Sequence, residues 1–100
     1  MITVFDVETS FQVVDGQKDP STKNPDNFLI CMGLNDDYIF FKHREFKGVP
    51  DRKRVQDILD KTTLLVGHNI KFDLIWLWES GFTYNGRIYD TMIGEYVLQR

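Results

Sequence analysis

The sequence predicts an α/β fold on a mixed β-sheet, in which antiparallel strands come first and parallel strand–helix units follow. Short apolar runs at 1–5, 28–34 and 38–42 have the length and composition of strands. Strands predicted at 63–66 and 87–89 are each followed by residues with helical spacing, and such alternation is typical of a parallel sheet. We therefore expect the first strand to be central, with the antiparallel hairpin on one side and the strand at 63–66 on the other.

Turn residues separate the first elements. The stretch 9–27 predicts a long loop because it is rich in turn dipeptides, namely Asp15-Gly16, Asp19-Pro20 and Asn24-Pro25. The runs at 28–34 and 38–42 are joined by Asn-Asp-Asp, which predicts a tight turn and a β-hairpin.

Three helices are expected after the hairpin. Asp51 is a plausible N-cap for the first, and Asn69 for the second. The second helix should run to about Ser80 and stop at Gly81, which suits the residue just past a helix end. A third helix should follow Thr91, because helical spacing links four apolar residues: Met92, Ile93, Tyr96 and Val97.

Length and composition limit the classes of protein to consider. One hundred residues allow a single small domain, spanning 1–100, and a net charge of -3 gives no general attraction to nucleic acid or to an anionic membrane. The single cysteine, Cys31, cannot form an internal disulfide and should be a buried apolar residue. The sequence shows neither a signal peptide nor an apolar run near the ~18 residues of a spanning helix, so we expect no membrane partner and a cytoplasmic location.

A basic segment lies between 42 and 54, where seven Lys, Arg and His residues outnumber two acids. One interpretation is a solvated loop and helix start. The other is a patch that contacts phosphates of a nucleic acid.

Two carboxylates close the first strand. Asp6 and Glu8 are two residues apart, so on a strand they point to the same side. Like charges held close raise each other's pKa, and a cation between them removes the repulsion. Oxygen ligands of this kind suit magnesium or manganese.

A second polar group follows the strand at 63–66. Asn69, Phe72 and Asp73 have i, i+3, i+4 spacing and share one face of the predicted helix near its start. The third carboxylate therefore comes to a strand end of an open sheet, where ligand sites form. Three converging carboxylates could hold two cations for phosphoryl hydrolysis, whereas taken singly each carboxylate could simply end a strand or face solvent.

Together these motifs resemble those of the DEDD superfamily of 3′–5′ exonucleases. The run FDVETS at 5–10 looks like its first motif, and GHNIKFD at 67–73 resembles its second. The run YDTM at 89–92 is similar to a segment of the proofreading domains of family-A DNA polymerases, including those of phages.

The resemblance implies a ribonuclease-H-like fold and the roles of several residues. Asp6, Glu8 and Asp73 would be catalytic ligands of two divalent cations, Mg²⁺ or Mn²⁺. Thr9, Asn69 and Phe72 would hold the 3′-terminal nucleotide of a single-stranded DNA, and Asp90 would be structural. The implied function is removal of nucleotides from DNA 3′ ends as part of a polymerase, in the host cytoplasm for a phage protein.

One family motif is missing. The third motif supplies a Tyr or His general base shortly before a fourth carboxylate, and no Tyr-x-x-x-Asp follows Asp73. His68 has the spacing of the His version but lies where the second motif belongs, so it is only an alternative base. The helix from Ile70 to Trp78 is apolar almost all round, which indicates an interface. We therefore expect an N-terminal part of a domain, in which a downstream polymerase segment or a partner chain supplies the missing groups and covers Trp76 and Trp78. The alternative is a nucleic-acid-binding or assembly module on the same fold, without catalysis.

Overall fold

The computed structural model describes residues 1–41 and 52–98, and within them it has a six-stranded mixed sheet, a separate two-stranded hairpin and two helices. The elements in chain order are β1 (Ile2–Thr9), β2 (Gln12–Val14), β3 (Gln17–Asp19), β4 (Leu29–Leu34), β5 (Asp37–Phe40), α1 (Arg52–Lys61), β6 (Leu64–Gly67), α2 (Ile70–Glu79), β7 (Arg87–Asp90) and β8 (Glu95–Val97). The α/β class and the mixed sheet are thus confirmed.

The strand order of the large sheet is β5-β4-β1-β6-β7-β8. β1 pairs antiparallel with β4, with Asp6 opposite Gly33, and parallel with β6, with Val4 opposite Val66. The central position predicted for the first strand is therefore correct. β7 continues the parallel part, and β8 returns antiparallel beside it.

One face of the sheet carries the hydrophobic core. Alternation along β1 turns Thr3 and Phe5 to this face, and both are buried. Residues from α1 and α2 belong to the same buried cluster as Phe5, so both helices pack on this side, with Val55, Leu59, Ile70, Leu74 and Leu77. We call it the covered face.

The opposite face, which we call the open face, keeps large side chains exposed within the described part of the chain. Its exposed apolar residues come from β1, β5 and β8 and are Ile2, Val4, Tyr38, Phe40 and Tyr96. Asp6 and Glu8 project from β1 on this same face, because they alternate with Phe5 and Val7.

The loop predicted over 9–27 contains an additional hairpin, β2–β3. Asp15 and Gly16 both have positive φ, 52° and 76°, as a two-residue hairpin turn of type I′ requires. The sequence predicts the turn at Asp15-Gly16 but not the two short strands that flank it. The connection also reaches α2, since Trp76 Nε1 donates a hydrogen bond of 3.2 Å to the Pro20 carbonyl. Trp76 is therefore covered by its own chain, contrary to the expectation that another segment covers it.

The third predicted helix is wrong. Residues 91–94 form a turn, and β8 follows it. The turn is closed by a hydrogen bond of 2.8 Å that the Gly94 N–H donates to the Asp90 carbonyl. Gly94 has φ 66°, a conformation that disfavours helix continuation. Tyr96 then packs edge-on against Tyr89 of the neighbouring strand, so the apolar residues serve a sheet rather than a helix face.

The other two helices are confirmed. α1 begins within the described residues at Arg52, and the predicted cap at Asp51 lies outside them. α2 ends as predicted. Gly81 has φ 88°, and its N–H donates a hydrogen bond of 2.9 Å to the Trp78 carbonyl. Neither helix combines the length and the apolar character that crossing a membrane requires, over residues 1–41 and 52–98.

Candidate metal centre

The candidate site lies where β6 ends beside the longer β1. The parallel pairing runs from Ile2 and Leu64 to Val4 and Val66, after which β1 continues to Thr9. Gly67 ends β6 against β1, and a Cβ built at this position would lie 2.9 Å from the Phe5 carbonyl oxygen. Glycine is thus required here so that the chain can turn into α2 while still touching β1.

Asp90 holds the start of α2. Its carboxylate accepts hydrogen bonds from the backbone N–H groups of Asn69 at 2.9 Å, Ile70 at 3.3 Å and Met92 at 2.9 Å. Asn69 occupies the N-cap position as predicted, but with φ 57° and without a capping bond from its side chain to the described residues. The N-cap position predicted for Asn69 is therefore confirmed, while the hydrogen bonds at the helix start come from Asp90 of β7.

The electrostatic environment of Asp90 fits this role. Burial by itself would raise the pKa of the Asp90 carboxyl, but the hydrogen bonds from Met92, Asn69 and Ile70, with His68 nearby, lower it below its ordinary value. Asp90 is therefore an ionised structural carboxylate, as the resemblance implied.

Asp73 lies in the first turn of α2 and is only 6% exposed. Its pKa is raised to about 7, first by burial and then by the charge of Asp6, while a backbone hydrogen bond from Val7 opposes the rise and Asp90 adds to it. Asp73 of the helix therefore lies within the electrostatic reach of Asp6 on β1.

Glu8 lies on the open face beside Cys31, its partner across β1 and β4. The pKa of the Cys31 thiol is raised first by burial and then by the charges of Glu8 and Asp6, against a backbone hydrogen bond from Glu8. Asp6 and Glu8 therefore both lie near the Cys31 thiol. Cys31 is buried and free, as predicted.

The three carboxylates do not form a closed ligand set. Over residues 1–41 and 52–98, no three His, Cys, Asp or Glu side chains lie close enough together to hold a metal ion. The donor chemistry nevertheless suits Mg²⁺ or Mn²⁺, because all three groups are oxygen donors and two of them repel each other.

The residues predicted to hold a nucleotide surround this region. Thr9 is half-buried at the end of β1, where a bulge between Glu8 and Thr9 interrupts the pairing with β4. Asn69 is exposed, whereas Phe72 is partly buried against the core. His68, the alternative base, is exposed, and its Nδ1 lies 3.2 Å from the Thr91 hydroxyl.

Most of the basic segment, 42–51, lies outside the described residues. The three basic residues that follow contact their own chain. Arg52 donates a hydrogen bond of 2.6 Å to the Ser80 carbonyl. Lys53 forms a salt bridge of 2.7 Å with Asp57, and Arg54 forms one of 2.7 Å with Asp37.

Gly33 is a site residue that sequence reasoning missed. It lies opposite Asp6, and a Cβ at this position would overlap Asp6 Oδ1. The space above Gly33 is therefore what the Asp6 carboxylate occupies. A glycine inside an otherwise apolar strand is a known signal for such a close approach.

No protein-family model matches the chain, and neither a curated protein nor a solved structure is significantly similar to it.

Proposed function

We propose that the chain is the N-terminal part of a metal-dependent 3′–5′ exonuclease domain of ribonuclease-H-like fold, which hydrolyses phosphodiester bonds at DNA 3′ ends. The observation that carries the proposal is the proximity of Asp6, on β1 beyond its pairing with β6, to Asp73, in the first turn of the helix that follows β6, since the Asp6 charge raises the Asp73 pKa. Glu8 extends the pair on the open face. The motifs favour the proofreading part of a DNA polymerase as the setting, which for a phage polymerase is the host cytoplasm.

In this proposal each residue has a defined task. Asp6, Glu8 and Asp73 would hold two Mg²⁺ or Mn²⁺ ions, and Asp73 would release its proton on binding. Such ions activate a water nucleophile and stabilise the leaving oxygen of a phosphodiester when bound. Thr9, Asn69 and Phe72 would hold the terminal nucleotide of a single strand.

The fourth carboxylate and the Tyr or His base belong, in this proposal, to a downstream polymerase segment or a partner chain. Loss of a positioned general base typically costs about 10²–10⁴-fold in rate. We therefore expect a polypeptide of residues 1–100 alone to degrade 3′ ends very slowly, and a longer polypeptide carrying the third motif to degrade them fast.

A second candidate is a non-catalytic nucleic-acid-binding or assembly module. It is favoured by the absence of Tyr-x-x-x-Asp after Asp73 and by a largely apolar groove of about 610 Å³ beside α2. The groove is lined by Lys71, Leu74, Ile75, Trp78, Glu79, Val97 and Leu98.

Thermal melts with and without Mn²⁺ test the metal centre. At 100 times its Kd, a bound ion stabilises the folded state by about 2.7 kcal/mol, which corresponds to a rise in Tm of roughly 10 °C or more for a domain of this size. Asp6→Ala should lose this rise. Asp36→Asn, which removes an exposed carboxylate from the turn between β4 and β5, is the matched control and should keep it.

An unchanged rise in the Asp6 variant would contradict a shared site. Digestion of a labelled single strand then separates the two candidates. Metal binding with no digestion by a longer polypeptide that carries the third motif favours the non-catalytic module. Fast metal-dependent digestion by residues 1–100 alone would contradict the requirement for the third motif and would leave His68 as the base.

A further inference from the structure

Two exposed aromatic side chains lie in the same cross-strand rows as the two carboxylates of β1. The sheet register aligns Asp6 of β1 with Gly33 of β4 and Tyr38 of β5. The next row aligns Glu8 with Cys31 and Phe40. Each row therefore has a carboxylate at one end, a small residue in the middle and an aromatic ring at the other end.

The geometry at Gly33 shows that these side chains share the open face. A Cβ built on Gly33 would overlap Asp6 Oδ1 and would lie 3.2 Å from Tyr38 Cε1. The carboxylate and the ring thus approach one point from opposite sides. Phe40 follows Tyr38 by two residues on β5 and so projects from the same face.

The exposure of the rings is unusual for their size. Tyr38 is 61% exposed and Phe40 is 70% exposed, although each ring could bury a large apolar area. Two residues along a strand separate the rings by roughly 7 Å, and two strand spacings separate them from β1 by roughly 10 Å. Together with the two carboxylates they form a continuous strip of exposed side chains on the open face.

The chemistry of the rings in this strip fits the bases of a single-stranded nucleic acid better than its phosphates. Aromatic rings stack on any base, because every base has a π-face. Asp6 and Glu8 repel phosphates unless cations lie between them. Bases on the rings and phosphates at a cation-filled carboxylate end would satisfy both requirements.

We propose that Tyr38 and Phe40 form a base-stacking platform for a single-stranded nucleic acid whose backbone passes Asp6 and Glu8. This inference rests on the proposed function and adds to it a binding surface for the nucleotides next to the scissile bond. The open face takes bases on β5, while the cleavage chemistry belongs to β1 and α2.

The test is binding of a 5′-fluorescein-labelled octathymidine by fluorescence anisotropy, in EDTA and in Ca²⁺. Replacing each ring by alanine, Tyr38→Ala and Phe40→Ala, should weaken binding by roughly 5- to 160-fold per ring. Tyr38→Phe keeps the ring and should bind like the unchanged protein. The matched control is Tyr96→Ala, which removes a 55% exposed ring from the same face at β8 and should not change the affinity.

Phe40→Trp supplies a second, direct measurement. The new indole should be quenched by octathymidine, after subtraction of the signal that the unchanged protein gives from Trp76 and Trp78. Phe40→Leu keeps an apolar side chain without a π-face and should bind weakly.

Several results would overturn the platform. These are absence of binding by the unchanged protein, affinity of the double alanine variant equal to that of the unchanged protein, or full affinity of Phe40→Leu. A self-associated species in sedimentation that the double variant dissolves, at unchanged octathymidine affinity, would instead assign this face to a second copy of the chain. Failure of the proposed function looks different: no Mn²⁺ rise in Tm, with octathymidine binding that each ring variant still weakens, would contradict the metal centre and keep the platform.

Discussion

Replacing Asp73 by asparagine should stabilise the metal-free protein, although it removes a proposed metal ligand. The Asp73 carboxyl has a pKa of about 7 against an ordinary value of 3.8, because of burial and the Asp6 charge. At about 1.4 kcal/mol for each tenfold change in proton affinity this corresponds to about 4 kcal/mol. Solvent screening reduces such energies, so we expect about half, ~2 kcal/mol.

The sign follows from proton linkage. The unfolded chain ionises Asp73 near pH 3.8 and the folded chain ionises it near pH 7, so between these values the folded state holds the extra proton. The stability contributed by this group therefore falls as the pH rises from about 4 to 7. Asp73→Asn is neutral throughout and removes this fall.

Urea unfolding between pH 4 and pH 8 measures the effect. Asp73→Asn should match the unchanged protein at pH 4 and exceed it by ~2 kcal/mol at pH 8, where its Tm should be roughly 8–16 °C higher. The exposed control Asp36→Asn should follow the unchanged protein at every pH. Two results would refute the conclusion that the Asp73 carboxylate is buried and repelled by Asp6. One is an Asp73→Asn variant that is less stable than the unchanged protein at pH 8, and the other is a difference in stability that does not depend on pH.

Two further predictions concern the surroundings of the site. Asp90→Ala removes the acceptor of three backbone N–H groups at the start of α2. The loss of such a cap should lower the Tm by roughly 4–8 °C in a circular dichroism melt. An unchanged Tm would show that the cap is not needed. Lys53→Glu should leave the octathymidine affinity and its dependence on salt concentration unchanged. The reason is that Lys53 pairs with Asp57 on α1, and α1 packs on the covered face. A slope of log affinity against log salt that is reduced by about 1 would instead reveal a phosphate contact.

The parts of the fold that depend on local pattern could be predicted from the sequence. The apolar runs that became β1, β4 and β6 gave the class and the central strand, since a buried strand leaves a short apolar signature. The end of α2 at Gly81 also followed from one residue whose positive φ favours glycine.

The errors arose where the pattern had two structural solutions. Tyr96 and Val97 fit a helical spacing with Met92 and Ile93, but the same two residues also fit a strand beside β7. The turn at 91–94 decides between them, because Gly94 has φ 66° and the residues after it pair with β7. The hairpin β2–β3 was missed because three-residue strands give almost no periodic signal.

The candidate site was predictable to the extent that it follows from topology. Because parallel strands end at one edge, the sequence predicts that Asp6 and Asp73 lie near each other, and the effect of the Asp6 charge on the Asp73 pKa agrees with this. The particular partners of Gly33 and Asp90 were not predictable, since they depend on neighbours that only the register defines: β1 for Gly33, and the start of α2 beside β7 for Asp90.

Two buried carboxylates at the start of α2 differ in a way that separates structure from function. Asp90 accepts three backbone N–H groups, and its pKa is lowered, so its charge is already satisfied by the fold. The Asp73 carboxylate accepts a hydrogen bond from the Val7 backbone, which lowers its pKa. Burial and the Asp6 charge outweigh this bond, so the pKa is raised. A carboxylate with a raised pKa readily takes up a proton or a cation, and this is the property that our proposal requires of Asp73.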